Sequence, residues 1–258
     1  MLTFRHTGDW GPGEIEVVPA DFGAPAVPEV EALIERAWEE ATRWPGVQLF
    51  DGPMTRLEEC GVRPDGRLYL LLSRTSYKRF LGTNLTRPDL AHRYGPGILA
   101  NPVGLSAALE TADGYLLLGR RTNTVAYYPG RIHPFAGALE PRDGPDVFKA
   151  VLRELREELG LERDDLDNLR CAGLVEDNAL RQPELVFLAR CRLSRRRVEK
   201  KLDPVEHHGV YALPATPEGI AGAMAYAALT PVAVASLLLW GRARFGEAWF
   251  EAARGAAP

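Results

Sequence analysis

One run of residues constrains this chain more than any other feature: Arg153-Glu154-Leu155-Arg156-Glu157-Glu158-Leu159-Gly160-Leu161. It closes a stretch from Asp146 to Leu161 in which Phe148, Val151, Leu152, Leu155 and Leu159 share one helical face. At about 100° per residue, Glu154, Glu157 and Glu158 fall between about a fifth and about half a turn away. The spacing predicts a helix with a core side and an acidic side, stopped by Gly160 just past its last turn. Three carboxylates so close repel one another unless a cation sits among them. Arg153 precedes Glu157 by four residues, the spacing at which helical side chains meet. Oxygen ligands on a rigid helix also suit Mg²⁺. A solvated acidic face is the ordinary alternative for such a charge run.

The order of these residues resembles the helical half of the Nudix box, R-E-U-x-E-E-x-G-U with U apolar, at every specified position. The family pattern also places a glycine fourteen residues before the arginine and a glutamate eight before it, where this chain has Leu139 and Pro145. Gly137, in Phe135-Ala136-Gly137-Ala138-Leu139-Glu140, is the nearest glycine upstream and implies about two inserted residues. Glu140, Asp143 and Asp146 remain alternatives for the missing acid. Pro145 suits the first turn of a helix, with Asp143 or Gly144 as its cap.

What the resemblance implies is an α/β fold: a Nudix α/β/α sandwich over residues 98–258, preceded by a smaller N-terminal α/β domain over residues 1–97 that shapes the substrate site. It further implies cleavage of nucleoside diphosphates linked to another moiety. Glu154, Glu157, Glu158 and the Gly137 carbonyl would be ligands of Mg²⁺, or of Mn²⁺ in its place. Arg153 would orient Glu157, and Glu154 or Glu184 would serve as general base. Glu184 follows the loop 178–183 on the side from which many members of the family draw an extra acidic residue, with Glu176 as the fallback.

The segment Ser73-Arg74-Thr75-Ser76-Tyr77-Lys78-Arg79-Phe80-Leu81-Gly82-Thr83-Asn84 is unusual in mixing hydroxyls, cations, aromatics and a glycine. These are materials for stacking a base and pairing a phosphate, although composition alone favours a capped surface helix. Thr75-Ser76-Tyr77, Phe80-Leu81-Gly82-Thr83-Asn84, Ala100-Asn101-Pro102-Val103-Gly104-Leu105-Ser106-Ala107-Ala108-Leu109 and Thr111-Ala112-Asp113 form a second series. It resembles animal Nudix hydrolases that act on UDP-glucose and UDP-galactose. The resemblance makes Tyr77, Lys78 and Asn84 candidate substrate contacts. Arg121 and Arg131 are further candidates, because a guanidinium fork fits two phosphate oxygens; solvated arginines are the alternative. A UDP-sugar is then the expected substrate. ADP-ribose, another nucleoside diphosphate derivative, or a non-catalytic nucleotide sensor on the same scaffold stay open, since fold alone does not fix function.

Composition bounds the rest. A chain of 258 residues, 46% hydrophobic and 26% charged, is that of a folded protein of one large domain or two small ones. Its net charge of −4 gives no basic surplus for a nucleic-acid partner. Cys60, Cys171 and Cys191 are widely spaced and suggest neither a disulfide framework nor a zinc site. No signal-peptide run opens the sequence, and the longest apolar stretch, Pro231 to Trp240, is too short to span a bilayer. A cytoplasmic protein, not bound to membrane and compatible with a homodimer, is the expectation. Helices are expected at 30–43, with Trp38 and Trp44 as packing residues, and at 229–244 and 247–253. Strands are expected at 14–18, 56–62, 67–72, 104–112, 115–121, 170–175, 185–193 and 205–213, with a domain junction in 88–102.

Overall fold

The computed structural model describes residues 2–43, 49–123, 125–203 and 207–256. Trp44 and residues 205 and 206 of the expected last strand lie outside the described residues. In chain order the elements are β1 (Leu2–Trp10), β2 (Ile15–Pro19), α1 (Pro28–Ala41), β3 (Pro53–Val62), β4 (Leu68–Ser76), α2 (Tyr77–Phe80), a π-helical turn (Leu81–Leu85) and α3 (Leu90–Tyr94). Then come β5 (Gly104–Glu110), β6 (Tyr115–Arg121), β7 (Ile132–His133), β8 (Phe135–Ala138), α4 (Val147–Leu159), β9 (Leu166–Asp177) and β10 (Gln182–Cys191). The chain ends with α5 (Arg195–Glu199), β11 (His207–Pro214), α6 (Pro217–Tyr226), α7 (Pro231–Phe245) and α8 (Glu247–Gly255).

A large mixed sheet has the order β1-β9-β10-β5-β6-β11, with β8 paired to β5 and β7 to β6; a small sheet has the order β2-β4-β3. Strand alternation divides the core. Leu105, Leu185 and Phe187 point to the side where Val151, Leu155 and Leu159 of α4 pack, together with Leu57, Leu68, Leu70 and Leu72 of the small sheet. Ala108, Leu116 and Leu118 point the other way, against Ile220, Ala233 and Leu237 of α6 and α7. Val175 and Val186 join that second side against Leu238, Leu239 and Phe250. The expected sandwich is therefore present, with the small sheet sharing a layer with α4.

β1 pairs with β9 at the edge of the large sheet, so the first strand crosses the proposed division at residues 97 and 98. No strand was expected over Leu2–Trp10, where polar residues interrupt the apolar alternation that would announce one.

Two local expectations are corrected. The cap of α4 is Asp146, whose carboxylate accepts from the backbone N–H of Phe148 (3.0 Å) and Lys149 (3.1 Å). Pro145 therefore lies before the helix, and neither Asp143 nor Gly144 caps it. Gly160 does end it, in the left-handed region at φ 56°. Ser73–Asn84 is not a surface helix: Ser73–Ser76 complete β4, and Phe80, Leu81, Gly82, Thr83 and Asn84 are buried. Gly82 is needed there because α1 crosses it closely; a Cβ would stand 2.7 Å from the Ile34 Cα. Cys171 and Cys191 are buried, Cys60 is half-buried, and all three are unpaired. Among the described residues no helix is long and apolar enough to cross a membrane.

Candidate active site

The box residues assemble on the α4 side of the large sheet, around Arg153. Its Nε and Nη2 donate to the two oxygens of Asp143 (3.0 and 2.9 Å), a fork-to-fork pair. Nη1 donates to Glu154 (2.6 Å) and Glu157 (3.1 Å), and Nη2 also reaches the Ala138 carbonyl at 3.3 Å. One guanidinium thus ties the acidic face of α4 to β8 and to the short turn Pro141–Asp143 before the helix. Of the acids left open by sequence, Asp143 anchors Arg153, Asp146 caps α4, and Glu140 pairs with Arg142 at 2.8 Å.

Glu154 leans over Gly137 so closely that a Cβ there would overlap its carboxylate. Glu158 is 4% exposed and accepts from the Ala136 N–H at 2.9 Å. Glu157 is exposed, held by Arg153 alone of its described partners. Burial pushes the Glu154 carboxyl up to about 7, with Glu158 and Glu157 adding to the rise and Arg153 opposing it. Burial would lower Arg153, but Asp143 and Glu154 hold its guanidinium above the ordinary arginine range. The Asp143 carboxyl, which burial alone would raise, is lowered by Arg153.

Among the described residues no three acidic, histidine or cysteine side chains are already gathered tightly enough to grip a metal. The donor set nevertheless fits a hard cation. It is oxygen only; half-buried Glu154 and buried Glu158 stand one turn apart on α4, and a glycine backbone lies against Glu154, where any other residue would collide.

Glu184 lies elsewhere. Leu185 and Phe187 face α4, whereas Val186 and Leu188 face α7 and α8. Alternation therefore sends Glu184 to the side of the sheet opposite the box carboxylates. The register agrees: Glu184 pairs with Gly104, and a Cβ on Gly104 would stand 2.9 Å from Glu184 Oε2. Burial pushes this carboxyl up to about 7, opposed by the Ser106 hydroxyl, increased by Asp177 and opposed by Arg121. Glu176, on the neighbouring strand, is engaged by Arg5.

An aromatic wall stands at the same end of the sheet. Ring centroids of Trp38 and Tyr77 are 6.4 Å apart, those of Tyr77 and Phe80 6.3 Å, and those of Phe80 and Tyr127 6.0 Å. Ala138, next to Gly137, packs against this group. The Arg121 guanidinium lies 4.7 Å above the Tyr127 ring. Burial raises the Tyr77 phenol, Tyr127 adding and Arg121 opposing. Tyr77 and Arg121 are thus brought together beside Tyr127.

Lys78, Asn84 and Arg131 have other engagements. Lys78 Nζ donates to both oxygens of Glu35 at 2.6 Å. Asn84 is fully buried; its Nδ2 donates to the carbonyls of Leu180 (2.8 Å) and Arg181 (3.3 Å), and its Oδ1 accepts from Ala100 N at 2.9 Å. Arg131 Nη1 donates to the Leu229 carbonyl at 3.3 Å.

Sequence reasoning passed over Tyr127 and Tyr128, in the loop between β6 and β7, and Asp177. The signal available was an aromatic pair set before Pro129-Gly130. Tyr128 Oη donates to Asp177 at 2.7 Å.

The model of the family described as NUDIX domain matches residues 100–220. Over 220 residues the chain is 31% identical to human uridine diphosphate glucose pyrophosphatase NUDT22, covering 72% of this chain and 71% of that protein. It is 25% identical over 202 residues to Nudix hydrolase 9 of Arabidopsis thaliana, covering 64% of each. The solved structure of DR0079 from Deinococcus radiodurans is similar at 23% identity and a TM-score of 0.42, over 53% of this chain and 80% of that one.

Proposed function

The chain belongs to the Nudix hydrolase family, and from that premise we propose that it hydrolyses the pyrophosphate bond of a UDP-sugar, UDP-glucose or UDP-galactose, to UMP and the sugar 1-phosphate. The observation that carries the hydrolysis is a pair of carboxylates one turn apart on α4: Glu154, half-buried against Gly137 with Arg153 and Asp143 behind it, and Glu158, buried on the Ala136 N–H. The choice of a UDP-sugar is supported by the human relative, whose name states that activity, at 31% identity.

In this reading Glu154, Glu157, Glu158 and the Gly137 carbonyl would hold Mg²⁺, or Mn²⁺ in its place. When bound, the ion supplies a more acidic water and neutralises charge on the phosphoryl oxygens. Arg153 keeps Glu154 and Glu157 in fixed rotamers. Arg121 offers its fork to the diphosphate. A water oxygen bonds to one phosphorus, the bridging P–O bond breaks towards the other phosphate, and Glu154 accepts the water's proton. Glu154 is preferred to Glu184 as base because Glu184 leaves its strand on the far side of the sheet. Residues 1–97 contribute the aromatic wall through Tyr77 and Phe80, and residues 98–258 contribute the chemistry.

The test is release of nucleoside monophosphate from UDP-glucose, UDP-galactose, ADP-ribose, ADP-glucose and NADH with Mg²⁺. UMP release from the two UDP-sugars is expected to dominate. Faster AMP release from ADP-ribose would keep the reaction and replace the substrate. Nucleotide binding without cleavage would make the protein a sensor.

A further inference from the structure

The box helix has a second flank. Lys149, Arg153 and Arg156 follow one another on α4 at spacings of four and three residues, so their side chains form one stripe. Like charges at such spacings repel, and a cation in the first turn also opposes the helix dipole. Arg153 is answered by Asp143, Glu154 and Glu157. Lys149 and Arg156 are exposed and have no ion-pair partner among the described residues. Two uncompensated cations therefore flank the guanidinium that orders the box.

The stripe walls a cleft of about 630 Å³ between α4, the loop after it and the start of β9. That volume suits a small organic molecule. The floor is apolar, with Phe148 and Leu169 buried beneath half-buried Leu152. The charge around it is unbalanced, five cations among the lining residues to three carboxylates. Two of those carboxylates are already engaged, Asp143 by Arg153 and Asp146 by the backbone N–H groups that begin α4. Arg163 and Arg170 have partners of their own, the Leu166 carbonyl and Asp9. At the edge stands Asn168, whose amide both donates and accepts. Arg153 couples the cleft to the reaction site: its Nη1 holds Glu154 and Glu157, and the same guanidinium lines the cleft. An anion seated beside Lys149 and Arg156 competes with those two carboxylates for it.

We propose that this cleft is a control site for a nucleoside monophosphate, whose phosphate lies over Arg153 between Lys149 and Arg156 and whose base lies on Phe148, Leu152 and Leu169 beside Asn168. The phosphate supplies the charge that the stripe lacks, and its oxygens fit ammonium and guanidinium donors. A base is flat enough for the apolar floor and carries polar edges for the Asn168 amide. An inorganic anion would leave the floor wet, and an alkyl chain would leave the amide unused. The bound nucleotide draws Arg153 towards the cleft, loosens Glu154 and Glu157, and slows hydrolysis. Binding is independent of the UDP-sugar reading; the inhibition rests on it, and UMP is then a product that inhibits away from the reaction site.

The test titrates the full chain with UMP, AMP and inorganic phosphate by calorimetry in EDTA, and follows UMP inhibition of UDP-glucose hydrolysis in Mg²⁺ over a range of substrate concentrations. The proteins are wild type, the double variant Lys149→Ala/Arg156→Ala, and Leu152→Glu, which sets a carboxylate in the floor; each is checked for an unchanged circular dichroism spectrum. In wild type, UMP is expected to lower the apparent kcat as well as to raise the apparent KM. The double variant should bind UMP about tenfold more weakly, having lost two charged contacts to the phosphate. Its kcat without UMP should stay at the parent value, and any remaining inhibition should be purely competitive. Leu152→Glu should weaken UMP in the same way. UMP affinity unchanged in both variants, in an enzyme that does cleave UDP-glucose, would overturn the cleft and leave the reaction standing. Purely competitive inhibition of wild type would overturn the control through Arg153, and inorganic phosphate binding as tightly as UMP would overturn the place given to the base. A wild type that cleaves no UDP-sugar but loses UMP affinity in the double variant would keep the cleft and remove the reaction.

Discussion

The box helix and the segment from Thr75 to Asn84 are both dense in polar side chains, and they use them in opposite ways. On α4, Arg153 is held from behind by Asp143 and Ala138 and in turn holds Glu154 and Glu157, while Glu158 is held by the Ala136 N–H. In the segment the polar groups are turned inward. Lys78 closes on Glu35, and Arg79 on Glu31 and the carbonyls of Pro25 and Ile98. Asn84 ties the π-helical turn to the β9–β10 connection and to Ala100. Only the rings of Tyr77 and Phe80 join the group beside Ala138. A site is built where anchoring groups stand behind the working ones; a brace is built where Lys78, Arg79 and Asn84 spend their donors on groups of the fold itself, even though Thr75 Oγ1 and Arg79 Nε stay without a hydrogen bond.

The largest effect expected from this contrast is at Glu158. Glu158→Gln removes a ligand charge but no volume, and should cut kcat for UDP-glucose by roughly 100-fold or more with the fold intact. Hydrolysis at the parent rate, measured at saturating Mg²⁺, would remove Glu158 from the metal site. Asp143→Asn should have a smaller effect on catalysis, about tenfold in kcat, because it acts through the orientation of Arg153 and hence of Glu154. It should also cost about 1–3 kcal/mol of unfolding free energy in a urea titration, since Arg153 loses its buried counter-charge. A loss of stability with unchanged kcat would mean that Arg153 keeps its place without Asp143, and that the two regions are less different than they look.

Much of the first region could be read from the sequence because it is local. The apolar stripe of α4, its glycine stop and the Arg153–Glu157 pair at i, i+4 are all properties of one helix. Gly137 stood out only as the nearest glycine upstream of the box, and the structure adds that Glu154 leaves room there for no side chain. Asp143 was harder: its role depends on a turn that curls back onto α4, and Asp143, Asp146 and Glu140 look alike along the chain. The second region was harder again. The carbonyls that Asn84 engages belong to Leu180 and Arg181, more than ninety positions away. Glu184 shows the same limit from the other side. Its residue type suited a base, but the face of β10 on which it emerges is set by pairing with β5 and β9. The strand Leu2–Trp10 is polar enough that only its partner β9 defines it.

Asn84→Ala sharpens the contrast at its quiet end. Removing the side chain deprives the Leu180 carbonyl of the Asn84 amide and leaves the Ala100 N–H with the Thr83 hydroxyl alone. A buried group left without a partner costs about 1–3 kcal/mol, less where water can reach it. The variant should therefore unfold at lower urea, by about 1–3 kcal/mol in total, while the folded fraction keeps the parent KM for UDP-glucose. The opposite pattern, a KM raised several-fold with stability unmoved, would return Asn84 to the substrate and show that its internal bonds are exchanged for ligand bonds during turnover. Both quantities must be measured on the same preparation, because a destabilised enzyme loses kcat through its unfolded fraction, whereas KM reports only on the molecules that still bind.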